Sequence, residues 1–321
     1  MTHQNQHQET AQKLVAAYQG PEPLAVYLKK YFAANKKHGS KDRKSISAFC
    51  YAHFREMHTD FPLQEAISKE IDIPTFIHSH TIQPLLFIRI RPWQKEKVIA
   101  ALLAASIEYT QVHEDCFAFS NTTALHNVLA LNKEVVIQDL NSQALAELLN
   151  FVPTSMETPI HVWDACAASG GKTILMFDTM QNIRMHVSDV RESILFNADK
   201  RLQEAGIRPA SVQVIDLTEP FDIKKPFDFV FADLPCSGSG TWGRTPEQIA
   251  FFKKKDLDYY TNLQSKIIAN ILPTVKLNGH LLLATCSVYA AENEAHVNAI
   301  LAKGEFELIK QQYFIGYTKQ A

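Results

Sequence analysis

The chain carries two different patterns of hydrophobic and polar residues. Up to about residue 60, apolar residues recur at three- and four-residue spacing, as at Leu24, Leu28 and Phe32, and this spacing predicts helices. From residue 160 onward, short apolar runs alternate with longer mixed stretches. The runs predict strands at 160–165, 185–189, 212–216, 227–233 and 281–286, and the mixed stretches predict helices from Lys172 and over 192–205, 256–275 and 292–302. This alternation predicts an α/β domain: a doubly wound, mostly parallel sheet with helices on both faces.

A smaller mixed segment lies between these two parts. Its apolar runs predict three strands, at 85–91, 116–119 and 135–137, and two helices, at 95–106 and 145–149. This order indicates a small α+β module, and strand alternation places Arg89 and Arg91 on one face of its first strand. A short helix before the module is expected to end near Pro74. We therefore expect a helical region over 1–78, the α+β module over 79–150 and the α/β domain over 151–321.

The composition of the 321 residues excludes several classes of protein. No apolar run approaches the ~20 residues of a membrane helix, and the polar segment 1–12 lacks the apolar core of a signal peptide. The five cysteines form no CxxC pair and are odd in number, which disfavours a disulfide framework or a metal site. Such cysteine usage is typical of the reducing cytoplasm, where we expect the protein to act.

A net charge of −2 gives no global signal for nucleic-acid binding, so binding would need a local basic patch. Residues 29–44 contain seven lysines and arginines and one aspartate. Within this stretch we expect contacts to RNA phosphates from Lys36, Lys37, Lys41 and Arg43. The alternative is an ordinary solvated helix face and loop.

The segment Asp164-Ala-Cys-Ala-Ala-Ser-Gly-Gly-Lys-Thr173 is a turn of small residues between the first α/β strand and its helix. Small residues let backbone N–H groups approach a ligand at a helix N-terminus. A phosphate-binding P-loop would need glycine where Cys166 stands, and the dinucleotide pattern GxGxxG is absent. Asp189 and Asp216, at the ends of the next two strands, suit a ribose and an adenine. These features favour S-adenosylmethionine, with a generic tight turn as the alternative.

Two thiols follow the ends of two predicted strands. Cys236 lies in Asp233-Leu-Pro-Cys-Ser-Gly-Ser-Gly240, and Cys286 ends the last apolar run. Because ligands bind beyond the carboxyl ends of parallel strands, both thiols and Asp233 are expected in one cleft. A thiolate beside a methyl donor suits attack on carbon 6 of a pyrimidine, which makes carbon 5 nucleophilic.

These residues resemble the motifs of the Sun-type RNA cytosine-C5 methyltransferases. The similar segments are Asp164–Thr173, Asp233–Thr241 with Arg244-Thr-Pro-Glu247, Thr285-Cys-Ser287 with Glu292-Asn-Glu294, and the upstream Gln138–Gln143. Three motifs in order, with two matched thiols, are far more specific than one short pattern. The resemblance spans about 80–321 and implies a Rossmann-like class I methyltransferase domain preceded by a small RNA-positioning module.

The resemblance also implies a role for each residue. Cys286 would be the nucleophile, Cys236 would assist product release, and Asp233 would orient the base, with Lys172 near the reacting atoms. The cofactor would be held by Cys166, Ala167, Ala168, Ser169, Gly170, Gly171, Lys172, Asp189, Asp216 and Asp233. RNA contacts beyond the basic stretch would come from Arg89, Arg91 and Arg244. DNA cytosine methyltransferases use the Pro-Cys thiol instead, so spacing alone leaves the choice of nucleophile open.

The sequence departs from the family pattern in three places. Ser169 replaces a usual proline, and Gly243 replaces the first of two usual arginines. The chain ends soon after Phe314-Ile-Gly-Tyr317, where the family adds a final strand, so we expect either that a truncation removes this strand or that the sheet ends differently. The N-terminal helices only faintly resemble the RNA-binding extension of the members that act on ribosomal RNA.

The sequence therefore predicts a monomeric RNA cytosine-C5 methyltransferase that uses S-adenosylmethionine and acts on ribosomal RNA. The same chemistry on transfer RNA is the nearest alternative. A non-catalytic RNA-binding factor for ribosome assembly is another, against which the intact thiols, acids and Lys172 argue. A DNA methyltransferase is disfavoured because it would leave the thiol of Cys286 unexplained.

Overall fold

A computed structural model describes residues 3–20, 22–222 and 225–316 of the chain. The N-terminal part is helical, as the spacing of its apolar residues predicts, and consists of α1 (His3–Ala17), α2 (Leu24–Ala34), α3 (Ser40–Glu56) and α4 (Ile73–Ser79). Leu14, Leu28 and Cys50 belong to one buried cluster that joins α1, α2 and α3. Pro74 lies in the first turn of α4 and not at its end as expected, because a proline costs no hydrogen bond in the first helical turn.

The middle of the chain forms a small antiparallel sheet covered by a helix. Its elements are β1 (Leu86–Ile90), α5 (Lys95–Ala104), β2 (Thr110–His113), β3 (Cys116–Phe119), β4 (Val135–Ile137), α6 (Leu140–Ala144) and α7 (Ala146–Leu149), and the strand order is β2-β3-β1-β4. Val98 and Leu102 of α5 pack on Ile88 and Phe117 of the sheet. The sequence pattern missed β2 because this edge strand is almost entirely exposed and has no apolar face.

The C-terminal part is the predicted parallel α/β sheet. It consists of β5 (Ile160–Asp164), α8 (Gly171–Thr179), β6 (Ile183–Asp189), α9 (Glu192–Glu204), β7 (Ser211–Val214), β8 (Phe227–Asp233), α10 (Gln248–Phe251), α11 (Lys254–Ile271), β9 (Val275–Ala284) and α12 (Glu294–Leu301). The strand order is β7-β6-β5-β8-β9, and every neighbouring pair is parallel. The order reverses between β5 and β8, and such a reversal opens a ligand crevice at the strands' carboxyl ends.

Helices cover both faces of this sheet, as expected for a doubly wound fold. Val162 and Trp163, which are consecutive in β5, point to opposite faces and enter two different buried clusters. The first cluster includes Ile174 of α8, and the second includes Ile268 of α11. Residues 302–316, the last that the structure describes, contain no strand, and Tyr317 lies outside the described residues. No helix of the described residues is both long and apolar enough to cross a bilayer.

Two arginines and one aspartate join the α+β module to the α/β domain. Arg89 Nη1 lies 2.7 Å from Asp178 Oδ2, and Arg91 Nη2 lies 2.7 Å from Asp178 Oδ1. Arg91 also donates to the carbonyl oxygen of Ala205 at 2.6 Å. Strand alternation thus places both arginines together as expected, but the prediction that they contact RNA is wrong. Their side chains are only 9% and 11% exposed, so a phosphate cannot reach them.

Candidate active site

The two predicted catalytic thiols lie together at the carboxyl ends of two adjacent strands. In the parallel pair β8 and β9, Asp233 is in register with Ala284, so the segments that follow leave the sheet side by side. Cys236 and Cys286 lie on these segments, and their Sγ atoms are 3.2 Å apart. Cys286 is exposed, and Cys236 is half-buried. The sheet therefore brings two sulfur atoms into one accessible cleft, as the sequence predicts.

Gly240, in the segment that carries Cys236, lies where the backbone of the segment that carries Cys286 comes very close. Gly240 donates its N–H to the carbonyl oxygen of Cys286 at 2.8 Å. A Cβ atom at Gly240 would lie 2.9 Å from that same oxygen, which is closer than real Cβ atoms come. The absence of a side chain at Gly240 thus lets the two segments dock against each other.

The surroundings of the two thiols separate their acidities. The pKa of Cys286 is lowered, chiefly by the hydrogen bond that it shares with the Cys236 thiol, and the positive charge of Lys172 adds to this effect. The same hydrogen bond raises the pKa of Cys236. These directions favour Cys286 over Cys236 as the thiol that ionises first, and Cys286 is the nucleophile that the family resemblance implies.

Lys172 and Asp233 form an ion pair beside the thiols. Lys172 Nζ lies 2.6 Å from Asp233 Oδ2. Burial alone would lower the pKa of Lys172, but the carboxylate of Asp233 more than offsets it, so that this pKa is raised. Lys172 remains a cation near Cys286 and leaves Asp233 one carboxylate oxygen for a substrate donor.

The small-residue loop is folded tightly around the side chain of Asp189. Ala168 and Gly170 have positive φ angles of 47° and 80°, and the N–H of Ala168 donates to Asp189 Oδ2 at 2.9 Å. Although burial opposes ionisation of Asp189, hydrogen bonds from Arg191 and Ala168 lower its pKa. Asp216 is exposed after β7 and accepts from Thr218 instead. Thus Asp189 reaches the loop, and no contact among the described residues brings Asp216 to it.

Asp164 is a site residue that the sequence reasoning did not single out. It ends β5 at the start of the loop and is fully buried. One of its oxygens accepts from the Thr173 hydroxyl at 2.5 Å, whereas Oδ1 has no hydrogen-bond partner among the described residues. Burial raises the pKa of Asp164 to about 7. A buried acceptor without a partner fits a ligand that brings a donor. The sequence signal that could have identified Asp164 was its place at the end of a predicted strand, the same signal that singled out Asp189 and Asp216.

The remaining predicted residues divide into two groups. Lys36, Lys37, Lys41 and Arg43 are exposed around the α2–α3 connection, and none of them forms an ion pair within the described part of the chain. Arg244 instead pairs with Asp139 and donates to the carbonyl oxygen of Leu85 at 3.0 Å. The guanidinium of Arg244 thus binds the α+β module, and its contact with RNA stays a prediction.

The thiols are close enough to be oxidised to each other. Because their Sγ atoms are 3.2 Å apart, closing to a disulfide of ~2.05 Å needs only a small movement. We expect diamide to form an intramolecular Cys236–Cys286 disulfide, as two thiol hydrogens pass to the diamide and reduce it to the hydrazine. Peptide mass spectrometry measures the product, and dithiothreitol should reverse it. Failure to crosslink, or a crosslink to the buried Cys50 instead, would contradict this geometry.

A family model and curated relatives of known name point to the same family of proteins. The family model described as 16S rRNA methyltransferase RsmB/F matches residues 146–320. Ribosomal RNA small subunit methyltransferase B of Xylella fastidiosa (strain Temecula1 / ATCC 700964) is 31% identical over 172 residues, 53% of this chain and 38% of that protein. The protein of the same name from Salmonella arizonae is 32% identical over 171 residues, which are again 53% of this chain and 38% of the Salmonella protein. The chain thus matches about two fifths of the length of these curated relatives.

Solved structures resemble a larger part of the chain. NSun6 from Pyrococcus horikoshii with SFG has a TM-score of 0.65 at 14% identity and covers 82% of this chain and 90% of its own. A methyltransferase homolog protein from the same organism has a TM-score of 0.63 at 19% identity and covers 80% of each chain. At these identities the likeness shows the fold, which is the Rossmann-like class I methyltransferase fold.

Proposed function

Because the chain belongs to the 16S rRNA methyltransferase RsmB/F family, we propose that it transfers a methyl group from S-adenosylmethionine to carbon 5 of a cytosine in RNA. The observation that carries this proposal is the pair of thiols 3.2 Å apart beside the Lys172–Asp233 ion pair. The names of the curated relatives favour RNA of the small ribosomal subunit as the substrate.

In the proposed reaction, Cys286 is the nucleophile. Its thiolate forms a bond to carbon 6 of the cytosine, and the displaced electron pair makes carbon 5 nucleophilic. Asp233 orients the base by accepting from its polar edge, while the ion pair with Lys172 holds the Asp233 side chain in place. The target base must leave its stack to reach this cleft, because carbon 6 is hidden within a helix.

The adduct must then be resolved. After methylation, the proton on carbon 5 passes to a base, its electron pair reforms the double bond, and the bond from carbon 6 to sulfur breaks. This step returns Cys286 to the thiolate. We assign Cys236 to the release step, since its sulfur is 3.2 Å from that of Cys286 and can exchange a proton with the site. The pKa of Cys166, in contrast, is raised by burial, so Cys166 takes no part as a thiolate.

The residues of the loop suit the cofactor. S-adenosylmethionine supplies an electrophilic methyl group when it is bound. The loop from Cys166 to Gly171 would hold its amino-acid end, and Asp189 and Asp216 would accept from the ribose and the adenine. The buried Oδ1 of Asp164, which lacks a partner among the described residues, adds an acceptor for a donor of the ligand.

The proposal is tested by methyl transfer from labelled S-adenosylmethionine to unmodified small-subunit ribosomal RNA, followed by bisulfite sequencing. We expect one cytosine to become protected. Unmodified transfer RNA serves as the second substrate, and protection of transfer RNA alone would replace ribosomal RNA with that alternative. Stable RNA binding without methyl incorporation into either substrate would instead support a non-catalytic assembly factor and overturn the enzyme proposal.

We further propose that the helical region over 1–78 contacts RNA and that the module over 79–150 positions it for the domain over 151–321. Lys36, Lys37 and Lys41 are exposed close together in this region. Replacing all three with glutamine should reduce the slope of log K against log salt concentration by about 2, because each phosphate contact on single-stranded RNA contributes ~0.7.

Fluorescence anisotropy with labelled RNA at several salt concentrations measures this slope. The matched control replaces three other exposed lysines, Lys69, Lys303 and Lys310, with glutamine. Equal slopes for the two triple variants would contradict a specific role for the α2–α3 basic stretch and favour a merely solvated surface.

A further inference from the structure

The carboxylate of Glu292 lies between the two segments that carry the thiols. Glu292 is only 1% exposed. Its Oε1 accepts from the backbone N–H of Ser237 at 2.8 Å and its Oε2 from the Ser237 hydroxyl at 2.5 Å. The hydroxyl of Ser287 also donates to Oε2. Ser237 follows Cys236, and Ser287 follows Cys286, so one carboxylate holds the residue next to each thiol.

The carboxylate is itself held from the helices behind the sheet. The buried Gln264 of α11 donates from Nε2 to Glu292 Oε1 at 3.0 Å and to the carbonyl oxygen of Pro235 at 2.9 Å. On its other side, Gln264 Oε1 lies 2.9 Å from Nε2 of His296, which belongs to α12. Burial lowers the pKa of His296, so it stays neutral at physiological pH. Gln264 of α11 thus holds Glu292 directly, and His296 of α12 holds Gln264 in turn.

The second thiol segment has a further anchor beside Glu292. Asn293 accepts from the Thr285 hydroxyl at 2.5 Å and donates to the carbonyl oxygen of Ser287 at 3.0 Å. These bonds fix the residues on either side of Cys286. Direct hydrogen bonds also join the two thiol segments, from the Gly240 N–H to the Cys286 carbonyl oxygen at 2.8 Å and from the Val288 N–H to the Ser239 hydroxyl at 2.9 Å. Glu292 adds a bridge from outside both segments, to the residue that follows each thiol.

Electrostatics argue against the alternative that Glu292 activates the nucleophile. Its negative charge raises the pKa of both Cys236 and Cys286 and so opposes formation of the thiolate. Burying a carboxylate also costs free energy unless donors satisfy it. The Glu292 carboxylate is costly to bury and disfavours the thiolate. Its presence here is therefore best explained by the positions that its four hydrogen bonds impose on the residues around it.

We infer that Glu292 is a positioning residue that sets the separation of Cys236 and Cys286 by bridging Ser237 and Ser287. The effect of Glu292 on methyl transfer rests on the proposed function, whereas its effect on the separation of the two sulfur atoms does not. A displacement of about 1 Å in a catalytic group can cost ~10²-fold in rate. Loss of the bridge should therefore lower the turnover number far more than it alters the KM for RNA.

Two substitutions separate the reach of the side chain from its charge. Glu292→Asp keeps the charge but is one methylene too short to bridge both serines, and we expect a kcat about 10²-fold lower and slower formation of the Cys236–Cys286 disulfide with diamide. Glu292→Gln keeps the reach but removes the charge. We expect it to keep a disulfide rate near that of the unmodified protein and to shift alkylation of Cys286 by iodoacetamide to lower pH, since the thiolate forms more readily.

The same two changes at Glu294 provide the matched control. Glu294 lies two residues away and contacts the Ser68 hydroxyl instead, so neither change should move these readouts. Thermal unfolding verifies that each variant is folded. An unchanged disulfide rate and kcat in folded Glu292→Asp would overturn the inference, as would an unshifted pH profile of alkylation in Glu292→Gln. The disulfide and alkylation measurements need no RNA, so they decide the role of Glu292 even if the protein methylates neither RNA.

Discussion

Replacing Cys286 with alanine is expected to abolish methyl transfer and covalent trapping on RNA that contains 5-fluorocytosine. The thiolate of Cys286 supplies the bond to carbon 6 without which carbon 5 cannot attack a methyl group, and removal of a covalent nucleophile lowers rates on the order of 10⁴- to 10⁶-fold. Fluorine on carbon 5 cannot leave as a proton does, so the unmodified protein should remain attached to this RNA. Denaturing gel electrophoresis measures the attached fraction.

The neighbouring thiol gives the decisive comparison. If Cys236 acts in release, Cys236→Ala should methylate RNA but accumulate an RNA–protein adduct even on ordinary cytosine. Cys50→Ala, at a thiol buried among the N-terminal helices, is the control that removes sulfur elsewhere. Loss of the adduct in Cys236→Ala together with its persistence in Cys286→Ala would exchange the two roles.

The parallel sheet could be predicted because its central strands are buried on both faces. Such strands appear in the sequence as continuous apolar runs, as in Phe227–Asp233. A run of this kind can be recognised without knowing which distant residues pack against it. The edge strand Thr110–His113 gives no such signal, because its side chains face solvent. Where burial on both faces imposed the pattern, the prediction of the fold was correct.

The candidate site divides along a similar line. The meeting of Cys236 and Cys286 follows from strand ends alone, because parallel neighbours present their carboxyl ends at the same edge. Arg89 and Arg91 look like any exposed cations in the sequence, since their partner Asp178 lies in a distant helix. The bridge made by Glu292 likewise depends on contacts between segments that are far apart along the chain. Backbone topology was therefore predictable, and side-chain pairing was not.

Asp178→Ala is expected to lower the free energy of unfolding by about 3–5 kcal/mol, the usual cost of removing one partner from a buried ion pair. The side chain of Asp178 is 5% exposed and binds two guanidinium groups that are almost as buried. Its removal would leave both cations without a counter-charge in the interface between the α+β module and the α/β domain. Urea denaturation measures the change.

A solvent-exposed pair supplies the contrast. Asp258 pairs with Lys254 on the surface of α11, where both side chains are more than half exposed. Asp258→Ala should therefore cost less than about 0.5 kcal/mol. A loss below about 1 kcal/mol in Asp178→Ala would show that the two arginines find water or other partners, and that the interface is not closed as the structure has it.

The Asp178 variant also separates RNA positioning from the chemistry of the thiols. Arg89 lies in β1 and Arg91 directly follows it, so loss of Asp178 loosens this side of the α+β module while the ends of β8 and β9 keep their hydrogen bonds. We therefore expect folded Asp178→Ala to raise the KM for RNA but to keep the unmodified rate of Cys236–Cys286 disulfide formation. A slower disulfide in this variant would mean that the module supports the thiol segments directly.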